Sequence, residues 1–184
     1  MGRRTTAAVA MLAGALLAAT GCDAANEGTA TPVSTTDSAA ATEALWDPCT
    51  EVDSATLNQL GVDESTQDST VSGVENVEGW KKCSWHDTPE WNYTLTVWST
   101  AHSVDDAKKD TKNTDYSEVT VGGRAGVQFR KSYDRYDEKC YLAFPSGSGS
   151  VQVSIFNMTS SGEAGDPCTR AISAAEALMP SIPE

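Results

Sequence analysis

The triplet Asp-Pro-Cys occurs twice, at Asp47-Pro48-Cys49 and at Asp166-Pro167-Cys168. Aspartate is a favoured helix N-cap, and the missing N–H of proline costs nothing at the first helical position. Each copy is therefore predicted to start a helix and to carry a thiol in its first turn. The chain between them reads mostly as strands. The two triplets are expected to clasp the ends of one compact domain.

The N-terminus supplies an address. Arg3-Arg4 precedes an apolar run, Ala7 to Ala19, that ends in Ala19-Thr20-Gly21-Cys22. A short positive segment, an apolar stretch of about a dozen residues and small residues at its end form a secretory signal, too short to span a bilayer as a mature helix. Cysteine directly after the small residues resembles the lipobox of bacterial lipoproteins. That resemblance implies a thioether from Cys22 to diacylglycerol, with acyl chains such as palmitate, and cleavage that leaves Cys22 as the first residue. Soluble secretion with Cys22 oxidised is the competing outcome. Thr5-Thr6 stands where a twin-arginine signal carries bulky apolar residues, so general secretion is expected. Residues 1–21 are thus assigned to a signal peptide, 22–44 to an Ala/Thr/Ser-rich tether and 45–184 to a single domain. Such a tether cannot bury enough apolar surface to offset its ordering entropy. Its root-mean-square reach of roughly 25 Å would hold the domain just outside the cytoplasmic membrane, on its outer face.

Four cysteines remain in the exported part: Cys49, Cys83, Cys140 and Cys168. An even number in an oxidising compartment points to two disulfides. Zinc is disfavoured because no two of these cysteines lie within a few residues of each other. Of the three connectivities, Cys49–Cys83 with Cys140–Cys168 is preferred, each fastening a terminal helix to a strand. Cys49–Cys168 with Cys83–Cys140 is a close competitor.

The 140 residues from Leu45 to Glu184 can build one self-sufficient core. Asp53-Ser54 should open a short helix with Leu57 and Leu60 inward and Gly61 as its left-handed stop. Gly61 to Glu78 is polar and is assigned to a surface loop, with a strand fragment near Val71 to Val77. Trp80 to Asp87 and Trp91 to Ser99 form a hairpin around Thr88-Pro89-Glu90, with Trp91, Tyr93, Leu95 and Val97 on one face. Ser103 caps a short helix. Glu118 to Arg130 forms a hairpin about Gly122-Gly123, with Ala125, Val127 and Phe129 toward the core. Strands follow at Cys140 to Phe144 and Val151 to Ile155, then a C-terminal helix with Ile172, Ala175, Leu178 and Met179 inward until Pro180. The predicted class is α+β, a mostly antiparallel sheet packed by N- and C-terminal helices.

Several stretches in this order resemble an actinobacterial lipoprotein family known only as the domain of unknown function 3558 family. They are Leu45-Trp46-Asp47-Pro48-Cys49, the helix ending Leu60-Gly61, Lys82-Cys83-Ser84-Trp85, and Val121-Gly122-Gly123-Arg124-Ala125. The late strand with Cys140 and the terminal Cys168 helix complete the likeness, which covers nearly all of Leu45 to Pro180. It implies structural rather than redox-active cysteines. It brings no established reaction and no catalytic residues.

The residues themselves suggest no reaction either. Removing Arg3 and Arg4 with the signal takes the formal charge from −13 to −15. That acidity argues against nucleic acid and against docking of the domain on anionic headgroups. His86 and His102 lack a nucleophile elbow nearby and are expected to be ordinary histidines. Among 26 acids no pair stands out as a glycosidase couple. Asp134, Asp137 and Glu138 lack the spacing of a calcium loop, so no metal or cofactor is expected. The aromatic residues are more informative. Trp80, Trp85, Trp91, Tyr93 and Trp98 fall within 19 positions. Trp85 and the Trp91/Tyr93 face are expected in the core. Trp80 and Trp98 are candidates to line a groove for a sugar, peptide or lipid. The favoured function is a binding or accessory module of the envelope, engaging a protein or a wall component. A small-molecule or lipid carrier and, more remotely, a wall hydrolase are the alternatives.

Overall fold

A computed structural model describes residues 35–147, 149–158 and 165–184. The signal peptide, Cys22 and the first part of the tether lie outside the described residues.

Seven strands form one antiparallel sheet. They are β1 (Val62–Asp68), β2 (Trp80–Asp87), β3 (Tyr93–Thr100), β4 (Asn113–Val121), β5 (Arg124–Lys131), β6 (Lys139–Ser146) and β7 (Gly149–Asn157). Their spatial order is β1-β2-β3-β7-β6-β5-β4. Two sequential sets, β1-β2-β3 and β4-β5-β6-β7, are therefore zipped together where β3 meets β7 from Tyr93↔Asn157 to Thr100↔Ser150. Burial follows this order. Central β7 is buried at every position but Phe156, whereas edge β4 is mostly exposed.

The helices are α1 (Thr35–Glu43), α2 (Pro48–Glu51), α3 (Ser54–Leu60), α4 (Val104–Lys109) and α5 (Pro167–Leu178). Asp47, Asp53 and Asp166 cap α2, α3 and α5 by accepting from the N–H groups of Cys49, Thr56 and Thr169. Gly61 ends α3 at φ 68°, in the left-handed region that a side chain would disfavour. Helix α5 lies on one sheet face. Ala171, Ala174 and Ala175 let its backbone approach β6 and β7, and Leu178 fills the space beside them. Trp85, Leu95, Leu142 and Ile155 complete this core at 1% exposure or less. Full burial of one such side chain stabilises by about 1.5–3 kcal/mol. The disulfides are Cys49–Cys83 and Cys140–Cys168, with Cα separations of 5.2 and 5.0 Å. Each ties the first turn of a helix to a strand. The α+β class and the preferred connectivity both hold.

Five local expectations are corrected. Gly61 to Glu78 is not all loop, because Val62–Asp68 is edge strand β1. Its polar sequence hides the strand, and the pairing is interrupted between Asp63 and Asp68, where Asp63 accepts from Ser65 instead. A charged, irregular edge of this kind resists strand addition by other chains. Thr35–Glu43, within the stretch assigned to the tether, is helical, and its Thr42 hydroxyl accepts from the N–H of Gly79 at 2.7 Å. Ile172 is 37% exposed, because α5 turns its alanine stripe to the sheet instead. Val127 and Phe129 are buried, but in a second, smaller cluster with Ala143, while Ala125 is exposed. Val127 pairs with Ala143 and Phe129 with Tyr141, one residue out of phase with the core-facing Leu142 and Phe144. That cluster therefore occupies the sheet face opposite α5, where Val104 of α4 packs against it. Finally, Trp91 is 50% exposed and does not share the core with Tyr93, Leu95 and Val97.

Candidate functional site

Alternation along β2 and β3 sends Cys83, Trp85, Leu95 and Val97 to the α5 face. It therefore sends Trp80, Lys82, Ser84, His86, Thr94, Thr96 and Trp98 to the other. The register Lys82↔Trp98 and Trp80↔Thr100 makes Trp80 and Trp98 diagonal neighbours on this outer face. Their rings meet edge to face, with centroids 6.0 Å apart, and both residues are half-buried. The His102 ring lies 5.5 Å from that of Trp80, tilted by 43°. Ser84, Gln152 and Ser154 line the same face and are almost covered by their larger neighbours.

Trp80 also borders a surface groove of about 810 Å³ between α1, the segment after β1 and the start of β2. Glu43, Asp47, Glu75 and Glu78 share its lining with Lys81 and Lys82. Both lysines are engaged. Lys81 Nζ donates to the carbonyls of Glu43 and Leu45 at 3.1 and 2.8 Å, closing the C-terminal end of α1. Lys82 Nζ donates to Asp68 at 2.7 Å and to the Thr70 carbonyl at 2.8 Å. The hydrogen bond from Lys82, helped by the N–H of Thr70, holds the Asp68 carboxyl down at about 2. Trp98 packs on Trp80 without lining the groove. The two predicted site residues are thus brought together, but only one faces the groove.

The histidines take part in aromatic contacts. His86 stacks on Trp91 with centroids 4.0 Å apart and rings 11° from parallel, and its Nδ1 lies 3.1 Å from the Thr94 hydroxyl. The acid run in the β5–β6 loop shapes the loop. Asp134 accepts from the N–H groups of Glu138 and Lys139, and Asp137 lies 3.7 Å from Arg130. Among the described residues no group of three or more His, Cys, Asp or Glu side chains is placed to hold a metal. The carboxyls of Asp53, Asp63, Asp68, Asp106 and Asp166 all have lowered pKa values, the direction opposite to that of a general acid.

Two features escaped the sequence. Lys131 Nζ sits 5.4 and 5.1 Å from the rings of Phe129 and Tyr141, and burial lowers its pKa. Burial also pushes the Tyr141 hydroxyl up to about 12. No spacing rule links residues on β5 and β6 that only register brings together. The other is Trp91, which strand alternation places inward. Its φ of +53° turns it outward just before β3 begins at Tyr93.

An antiparallel sheet clasped by two disulfides, with α5 on one face and the Trp80/Trp98 pair on the other, defines an α+β domain. The chain belongs to the family described as "Protein of unknown function (DUF3558)", whose model matches residues 17–181. No curated protein and no solved structure matches it.

Proposed function

We propose that this protein is a lipid-anchored binding or accessory module of the actinobacterial cell envelope. Cys22 would hold it at the outer face of the cytoplasmic membrane. The lipobox-like Ala19-Thr20-Gly21-Cys22 supports the anchor, and the family match extends far enough upstream to include it. One observation carries the binding role: the half-buried Trp80/Trp98 pair beside an open groove, on the sheet face that α5 leaves uncovered. Aromatic side chains bring large contact area at low entropic cost, which suits a recognition surface. The pocket between α3, α5, β3 and β7, lined by Leu60, Tyr93, Leu95 and Ile155 among others, holds only about 210 Å³, small for a lipid or drug-sized ligand, which weighs against a carrier.

Crosslinking of the native lipidated protein in its own membrane, followed by mass spectrometry, tests this reading. A reproducible partner is expected for the wild type and lost in Trp98→Ala, with the melting temperature nearly unchanged. A partner set that Trp98→Ala leaves intact would remove the outer face from the argument. A large fall in melting temperature would make Trp98 a packing residue instead.

A further inference from the structure

Helix α1 borders the groove without an apolar footing. Thr35–Glu43 contains no large apolar residue, Ala39, Ala40 and Ala41 are exposed, and residues 38–43 belong to neither hydrophobic cluster. At nine residues the helix is shorter than an isolated one needs to be in order to persist in water, so its docking contacts keep it helical. Two groups at the start of β2 supply them. Thr42 Oγ accepts from the Gly79 N–H at 2.7 Å, and Lys81 Nζ donates to the carbonyls of Glu43 and Leu45. The lysine thus places its charge at the negative end of the helix.

The chain changes character just after α1. Trp46 packs against the main core, Asp47 caps α2 and Cys49 is bonded to Cys83, so the chain from Trp46 onward is fixed to the sheet. Ala44 and Leu45 form the joint between the two regimes, and the Leu45 carbonyl is one of the two that Lys81 holds. Ahead of that joint, α1 contributes Ala39, Thr42 and Glu43 to the groove wall. Without the helix the groove would lie open on that side. Lys81, 3.8 Å from Asp47, would then face it without its two carbonyl partners.

We infer that α1 is a strap along the groove, latched by Lys81 and Thr42 and hinged at Ala44 and Leu45, that opens without unfolding the sheet. Its purpose rests on the groove being the binding surface proposed above; its opening does not. On release, the hydrogen bonds of Lys81 and Thr42 are exchanged for bonds to water, and nine residues regain conformational freedom. The helix takes no core side chain with it. The sheet, by contrast, opens only with loss of the core beneath α5. Opening the strap therefore costs a small fraction of global unfolding. It also turns Lys81 from a clamp into an open amine, so a ligand that engages Lys81, or fills the space of α1, favours the open state.

The test is hydrogen exchange of the full-length protein in detergent, read by mass spectrometry. In the wild type, amides from Ala39 to Leu45 should exchange at least about a hundredfold faster than those of β7, yet slower than an unstructured peptide, at a rate that low urea leaves unchanged. Lys81→Met removes two charge-assisted hydrogen bonds and should speed that exchange about tenfold or more. Thr42→Val loses the acceptor for Gly79 and should speed it several-fold, whereas Thr42→Ser should behave like wild type. Thr42→Val should also raise acetylation of Lys81 by an N-hydroxysuccinimide ester and leave that of Lys108 unchanged. Both strap variants should keep the melting temperature and the protection of β3 and β7. The inference is overturned if wild-type α1 is as protected as β7, if it exchanges like an unstructured peptide, or if neither variant changes its exchange. It is equally overturned if both variants lower the melting temperature in step with α1 protection, because α1 would then belong to the cooperative core. These readouts need no ligand, so they stand whether or not Trp98→Ala loses a crosslinked partner.

Discussion

Opening the Cys140–Cys168 bond by the paired substitution Cys140→Ala/Cys168→Ala tests how α5 is held. The bond closes a loop with a sequence separation of 28 residues. Restricting that loop in the unfolded chain stabilises the native state by about 3.6 kcal/mol. Cys140 is fully buried and Cys168 is 8% exposed, so deleting the sulfurs also removes packing, about 1 kcal/mol each by comparison with a buried methylene. The expected loss is about 5–6 kcal/mol, a fall in melting temperature of about 15–20 °C for a domain of this size. Urea unfolding should move its midpoint down and steepen its slope, because the chain freed of the crosslink exposes more surface when unfolded. Cys168 sits in the first turn of α5, so hydrogen exchange should rise first there. The strands β3 and β7 should lose protection only with global unfolding. A loss below about 1.5 kcal/mol, with α5 still protected, would refute the reasoning, because the alanine stripe alone would then hold the helix.

Two further outcomes follow from the same structure. A Cβ at Gly149 would collide with the Thr100 carbonyl oxygen, where β7 meets β3, so Gly149→Ala should cost about 3 kcal/mol or more in urea unfolding. Gly147→Ala meets nothing within 4 Å and should cost only about 1–2 kcal/mol for its positive φ. The Asp68 carboxyl, with its folded pKa lowered from 3.8 to about 2, contributes stability that is complete above its unfolded value and lost as pH falls through that window. Its side chain is 48% exposed, so the effect should stay under about 1 kcal/mol. Asp68→Asn should flatten the acid limb of a stability–pH curve between pH 4 and pH 2, and an unchanged limb would show that the Lys82 pair is without weight.

The sequence by itself determined the features that rest on local chemistry. Asp47, Asp53 and Asp166 announce helix starts because a carboxylate beside free N–H groups is a short-range interaction. Period-two alternation announces the β2–β3 hairpin, and cysteine parity the two disulfides. Only the tertiary structure decided what depends on partners far along the chain. The polar segment Val62–Asp68 becomes a strand because β2 offers it an edge. Val127 and Phe129 face away from α5 because the β5–β6 register puts them beside Ala143 and Tyr141. The candidate surface and the exposure of Trp91 belong to this second kind. Trp80 meets Trp98 through cross-strand register, and Trp91 turns outward through one backbone angle set by the turn before β3. Alternation names the faces of a strand, but it does not say which face the rest of the molecule will cover.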